Sequence, residues 1–396
     1  MPERSEVEEE QHDGSSRQNG RLPKAKLIRD QQSWEHCWSQ LRQEPRLAVD
    51  LEANSMFAYQ ERTCLIQISI PSADYIVDPL AVPDLDGLGE LMADDAVEKV
   101  FHAAEYDLLL MTRDYNWELN NLFDTMWAAR ILGYSQLGLA GLLERFFGVK
   151  LSKRFQKSNW CKRPLQEAQL AYAQTDTHYL LDLRDILEKE LQGQSRWDEA
   201  QELFAEQTRT RPTANGFNPD GFWNLHGAYD LTPQQRSVLR AIYAYRDEEA
   251  KRRDVPHFKV FNDRTMMAVA EAMPVSAGEL YDVDGISPSR NQRSQRRLLS
   301  VIAEAREAQP PKRPKRNPRP PESVLDRYEQ LHTWRKEKGR ERGVESDVIM
   351  SRDALWAIAQ ANPQSKDELA SLEVMGPWRL KTYATNILQV LQESDS

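Results

Sequence analysis

Hydrophobic residues in the first two hundred positions fall in short runs broken by turn-forming stretches, and their spacing predicts strands and helices in alternation. Lys26-Leu27-Ile28 predicts a short strand. Ser33 to Arg42 predicts a helix, with Trp34, Cys37, Trp38 and Leu41 three to four apart on one face. Leu47-Ala48-Val49-Asp50-Leu51-Glu52 predicts a strand, followed by strands over Thr63–Ile70 and Asp74–Asp78 joined at a Pro-Ser-Ala-Asp turn. Three strands in quick succession imply an antiparallel meander. Beyond them come a helix near Leu88–Met92 and a strand at Lys99-Val100-Phe101. Helices follow over Glu105–Arg113, Phe123–Leu132 and Leu137–Phe147, with one long helix over Leu165–Leu191. The sum is an α/β layer fold, a mixed sheet with helices packed on it.

The second half is helical and repeats itself after a bridging helix at Asp198–Gln207 and the Gly/Asn/Pro-bearing stretch Asn215–Gly221. Tyr245-Arg246 through Val255, Met266 to Ala270 and Pro274 recur as Trp334-Arg335 through Val344, Leu355 to Ala359 and Pro363. The offset is constant until about two residues are added before Gly376. Each copy predicts four or five short helices around an apolar stripe, hence two small all-α domains. The expected division is an acidic disordered tail over 1–24, an α/β domain over 25–210, a linker over 211–230, a helical domain over 231–307, a basic proline-rich linker over 308–322 and a second helical domain over 323–393.

Composition narrows the class. A chain of 396 residues with 40% hydrophobic content has room for several cores. Three well-separated cysteines, Cys37, Cys64 and Cys161, show no C-x-x-C spacing and cannot form a full disulfide framework, so a reducing compartment is expected. No run of about 18 apolar residues exists, and the first residues, Met1-Pro2-Glu3-Arg4, lack a basic-then-apolar leader pattern. These features imply a soluble, non-secreted, cytoplasmic protein without membrane contact. A net charge of −10 argues against a nonspecific nucleic-acid coat. The segment Pro310–Pro321 is locally basic and resembles a nuclear-import patch, or serves as a semi-rigid spacer.

The candidate chemistry lies in four acids. Asp50 and Glu52 are two apart on a strand and so project from one face, where two ionised carboxylates need a cation between them. Asp107 follows Phe101-His102 in the first turn of a helix, at a sheet edge where ligands of α/β proteins sit. Tyr172 and Asp176, four apart, share a helix face. Taken singly, these equally fit solvated edge acids, a charge complementing a helix dipole and a surface Tyr-to-Asp hydrogen bond. Taken together, Asp50, Glu52, Asp107 and Asp176 form an oxygen-rich, imidazole-free set suited to Mg²⁺ or Mn²⁺.

The order and spacing of these segments resemble the DEDD 3′-to-5′ exonucleases, in the branch with a tyrosine in the third motif, and more narrowly ribonuclease D and the exonuclease subunit of the nuclear exosome. The resembling text is Val49-Asp50-Leu51-Glu52, Thr63–Ser69, Phe101-His102 with Asp107, Leu122-Phe123-Asp124-Thr125, Asn159-Trp160 and Tyr172 through Leu181. Asn159 departs from the acid often found there. The helical copies resemble the HRDC domain that helicases and ribonuclease D share. The resemblance implies a ribonuclease H-like exonuclease domain followed by two HRDC domains. It also implies two divalent cations, no organic cofactor, and Asp50, Glu52, Asp107, Tyr172 and Asp176 as catalytic residues. The four acids would hold metal, with Asp50 bridging and Tyr172 positioning water. The expected substrate is RNA with a free 3′ end, transfer RNA precursors being typical, and the expected state a monomer.

Substrate contacts are read at His102, Lys157, Trp160 and Arg163. Arg154 and Lys162 join them in steering phosphates, and Trp160 is read as stacking on a base; the alternative is a solvated basic loop. Arg290, Arg293, Arg296 and Arg297 on the first helical copy suit phosphate contacts, whereas Lys336, Lys338, Arg340 and Arg342 alternate with Glu337 and Glu341 as a self-neutralised face. An exonuclease acting on DNA and an inert nucleic-acid-binding scaffold stand as the competing readings.

Overall fold

The computed structural model describes residues 22–209, 216–287, 292–314 and 319–394. Most of the expected acidic tail, Arg290 and the centre of the basic linker lie outside them.

The first domain comprises β1 (Lys26–Ile28), α1 (Gln31–Leu41), β2 (Arg46–Ala53), β3 (Thr63–Ile70), β4 (Ala73–Val77), α2 (Asp86–Ala93), β5 (Glu98–Phe101), α3 (Glu105–Tyr115), β6 (Leu122–Asp124), α4 (Thr125–Ile131), α5 (Leu139–Phe147), α6 (Glu167–His178), α7 (Leu180–Gly193) and α8 (Trp197–Gln207). The six strands form one mixed sheet in the order β1-β4-β3-β2-β5-β6. The meander is present: β3 runs antiparallel to both β2 and β4, while β5 and β6 run parallel to β2. β2 is therefore interior, flanked by an antiparallel neighbour and a parallel one. Beyond Ala48–Val100 the parallel pairing stops, and the last residues of β2 project past β5 into a crevice at the strand ends.

Two expected helices differ. The stretch from Phe123 begins as β6, because Leu122 and Phe123 are buried beside β5 and a three-residue apolar run has no period to distinguish strand from helix. The long helix over 165–191 is two, α6 and α7, divided at buried Tyr179, which has φ −98° and ψ −3°. Neither Gly nor Pro marks the break, so sequence could not show it.

The repeat forms two helical units: α9 (Pro233–Arg253), α10 (His257–Val260), α11 (Asp263–Ala272), α12 (Ala277–Tyr281) and α13 (Gln292–Glu307), then α14 (Glu322–Arg342), α15 (Ser346–Ile349), α16 (Arg352–Ala361), α17 (Lys366–Ser371) and α18 (Pro377–Ser394). Each has its own apolar core. Equivalent positions do equivalent work: the guanidinium of Arg246 donates to the Phe261 carbonyl and that of Arg335 to the Met350 carbonyl.

Both units touch the first domain, at separate places. The loop that follows β2 meets the first unit, where the Tyr59 hydroxyl donates to Asp247 at 2.8 Å and the Tyr59 amide to Asp254 at 3.1 Å. The second unit docks on α8. Arg342 pairs with Glu199, which is 0% exposed, and Arg379 pairs with Glu202 at 2.7 Å. This corrects the self-neutralised reading for Arg342, whose partner comes from another domain; Lys338 does pair locally, with Glu341 at 2.7 Å.

Removing one member of a buried ion pair strands the other charge, a loss of about 3–5 kcal/mol. Glu199→Ala is accordingly expected to lower the unfolding temperature of the full chain and expose α8 to limited proteolysis. Unchanged melting and cleavage patterns would show that the docking does not depend on this pair.

Candidate active site

The site begins at the end of β2. Asp50 and Glu52 share a face of the strand, and α6 crosses beside it to bring Asp176 down to them. Asp50, Glu52 and Asp176 each place one carboxylate oxygen within 4.8 Å of the others. Three anionic groups so close raise one another's proton affinity. Burial pushes Asp50 up to about 7, while burial and the neighbouring acids push Glu52 and Asp176 well above the usual carboxylate range.

Asp107, on the first turn of α3, stands beside this triple. It is 5% exposed, and burial together with the Asp50 charge lifts its proton affinity. Its Oδ1 accepts the Leu51 amide at 3.0 Å. That amide lies between the two strand acids, on the edge that β5 has ceased to cover, so the carboxylate takes over a sheet hydrogen bond where the sheet ends.

Asp124 shapes the approach to α3. Fully buried, it accepts the amides of Ala103 and Ala104 at 3.0 and 2.8 Å and caps α4 through Met126 and Trp127 at 2.9 and 3.2 Å. Ala103 sits in the left-handed region at φ 62°, uncommon for a residue with a Cβ, and Asp124 holds it there. The sequence reading assigned Asp124 no role of its own. An Asp immediately before a helix is a capping signal, but here it was hidden inside a helix drawn from Phe123.

Tyr172 is half-buried one turn before Asp176. Burial and the charges of Asp176, Glu52 and Asp50 all raise its proton affinity, so the phenol keeps its proton in the metal-free protein. His102, with its Nδ1 at 2.9 Å from the Thr125 hydroxyl, is pushed down to about 4 by burial and is neutral.

Two expected substrate contacts are corrected. Trp160 is 1% exposed and packs against Tyr172 at 6.0 Å between ring centroids, so no face is open to stack on a base. Arg163 grips Asp78 with two hydrogen bonds of 2.6 and 2.7 Å and also donates to the carbonyls of Trp160 and Cys64. Its charge is spent on holding the loop. Lys157, Arg154 and Lys162 are exposed. Cys64 and Cys161 are joined in a disulfide across 97 residues, a proximity that sequence spacing cannot reveal, while Cys37 is buried and free. Arg163, Trp160 and this bond together fasten the segment before α6 to β3. Among the described residues no helix is long and apolar enough to cross a membrane.

With this geometry in hand, comparison with known proteins is direct. Residues 25–192 match the 3′-5′ exonuclease family, and residues 235–302 and 324–391 each match the HRDC domain. The chain is 37% identical over 243 residues to the exosome complex component 10 homolog of Caenorhabditis elegans, covering 59% of this chain and 27% of that one. It is 32% identical over 249 residues to ribonuclease D of Gluconacetobacter diazotrophicus, covering 62% and 63%. The crystal structure of Escherichia coli RNase D shares the fold, with a TM-score of 0.65 at 23% identity over 94% of this chain and 99% of that one. The chain spans only 27%, 42% and 26% of three exosome-component and RRP6-like relatives that it matches.

Two outcomes follow from the geometry. Asp107→Ala orphans the buried Leu51 amide and is expected to cost about 1–3 kcal/mol of stability; Asp107→Asn, which keeps an acceptor, is expected to melt near wild type. Equal melting of the two variants would remove the structural role. Because the folded protein holds its site acids above their ordinary values near 4, the metal-free site carries protons that the unfolded chain releases, and the stability it contributes falls as pH rises past 4, through about 7 for Asp50 and up to about 10 for Glu52. Added Mn²⁺ is therefore expected to raise the unfolding temperature more at pH 8 than at pH 5.5, and an equal rise would mean that the ion binds elsewhere. The chain thus carries a 3′-5′ exonuclease domain over residues 25–192 followed by two HRDC domains, and it is similar to ribonuclease D.

Proposed function

We propose that this protein is a metal-dependent 3′-to-5′ exoribonuclease, hydrolysing RNA from a free 3′ end and releasing nucleoside 5′-monophosphates. The observation that carries the reading is the meeting of Asp50, Glu52 and Asp176 within 4.8 Å at the crevice of an exonuclease-family domain. The donors are hard carboxylate oxygens without imidazole or thiolate, which fits Mg²⁺ or Mn²⁺. A pair of such cations, when bound, supplies an activated water and charge neutralisation on the departing 3′ oxygen.

The chain's own groups do the rest. Asp50, Glu52 and Asp176 would hold the cations through their converging carboxylate oxygens. Asp107, fastened to the Leu51 amide, keeps the strand and α3 in register, and its carboxylate would help hold a cation beside the other three acids. Tyr172 presents a protonated hydroxyl one turn above Asp176 and orients the attacking water by hydrogen bonding. Neutral His102, its Nδ1 taken by Thr125, has Nε2 left for the terminal nucleotide. Exposed Lys157 steers phosphate. The E. coli relative is described as an exoribonuclease involved in structured RNA processing, and we extend that substrate class to this chain, transfer RNA precursors included, with a monomer as the working unit.

A 5′-labelled RNA incubated with Mg²⁺ or Mn²⁺ is expected to shorten progressively from its 3′ end, and to stay intact in EDTA. Asp50→Asn should abolish shortening while leaving the unfolding temperature of the metal-free chain at or above wild type. Tyr172→Phe should slow it about 10²-fold or more with Mn²⁺ still bound. Full turnover by Asp50→Asn would sink the metal mechanism; a matched DNA strand degraded as fast as RNA would sink the RNA assignment.

A further inference from the structure

We propose that Gln67 is a positioning residue of the cation site, its side-chain amide donating to the Asp50 carboxylate when that carboxylate ligates metal. The inference rests on the metal-dependent reading of the site and adds a residue to it.

Gln67 lies in the middle of β3 and is 0% exposed. Neither its Nε2 nor its Oε1 has a hydrogen-bond partner among the described residues. A side-chain amide offers two donor hydrogens and two acceptor lone pairs, so an interior position with none of them used carries the full desolvation penalty of the group. Glutamine is retained where any apolar residue of similar length would avoid that penalty.

The strand register says what the amide faces. Gln67 is directly opposite Asp50 in the β2–β3 ladder, and opposed residues of adjacent antiparallel strands project from the same face. Other polar groups further along that face are paired. Two positions along β3, the Ser69 hydroxyl meets Thr177 of α6 at 2.7 Å. Asp74, opposite Ser69 on β4, accepts from Gln174 at 2.6 Å and contacts His178 Nδ1 at 2.7 Å. α6 thus packs over this face and pairs with Ser69 and Asp74. The Gln67 amide, opposite Asp50, has no such partner from the helix that delivers Asp176. Ionised carboxylates only accept hydrogen bonds, and Gln67 Nε2 offers two donor hydrogens from the position opposite Asp50. A carboxylate that turns one oxygen toward a cation has its other oxygen available to Nε2, and such outer hydrogen bonds fix the orientation of ligands.

The test uses the full chain with Gln67→Met, nearly isosteric and without the amide, and Gln67→Leu as a second substitution. Unfolding is followed in EDTA, Mn²⁺ binding by calorimetry, and RNA cleavage as a function of Mn²⁺ concentration. Each variant is expected to unfold in EDTA at or above the wild-type temperature and to bind Mn²⁺ about tenfold or more weakly. Half-maximal cleavage then needs correspondingly more Mn²⁺. A variant that binds Mn²⁺ as wild type does, or that loses stability in EDTA as a group held by interior water would, overturns the proposal. Wild-type protein that binds no Mn²⁺ would overturn the metal-dependent reading itself, which separates the two failures.

Discussion

Three carboxylates within 4.8 Å of one another in a crevice repel at every pH where they are ionised, and the first domain is arranged to hold them together regardless. Two arrive for free, because alternate residues of a strand share a face. The third, Asp176, comes from a helix and must be held by packing. α6 is held at one end by the paired polar groups of Ser69, Thr177, Gln174, Asp74 and His178, and near the other by Tyr172 against buried Trp160. A cation at the site would turn that repulsion into the attraction that completes the fold locally.

The same logic explains groups that sequence alone would place in contact with substrate. Trp160 and Arg163 sit in the segment that precedes α6, and a segment that packs against Tyr172 sets where that side chain lies. Arg163 reaches Asp78 at the end of β4, and Cys161 bonds to Cys64 on β3, so the segment is tied to two strands at once. Asp107 and Asp124 combine tasks in a similar way. Each is a buried carboxylate that accepts backbone amides at a place where regular hydrogen bonding has run out.

The helical repeats are parts of this frame as well as a candidate surface for nucleic acid. Tyr59, on the loop leaving the acid-bearing strand, is held by Asp247 and Asp254 of the first copy. The second copy sets two arginines against α8, Arg379 buried and Arg342 part-buried. Of the basic residues proposed for phosphate contact on the first copy, Arg297 is paired with Glu248 at 2.6 Å, so the copy's charge is less available than its composition implies.

Much of this was legible in one dimension. The alternation Val49-Asp50-Leu51-Glu52 determined a strand with two acids on one face; the four-residue spacing of Tyr172 and Asp176 determined a shared helix face; and a constant offset determined the duplicated helical domain. These are consequences of backbone period, which local sequence sets. What only the tertiary structure decided is which polar groups find partners: the disulfide across 97 residues, Arg163 on Asp78, Arg342 on Glu199, Asp124 on Ala103 and Gln67 left without any. Pairing of that kind depends on distances between segments far apart in the chain, and no local periodicity encodes those distances.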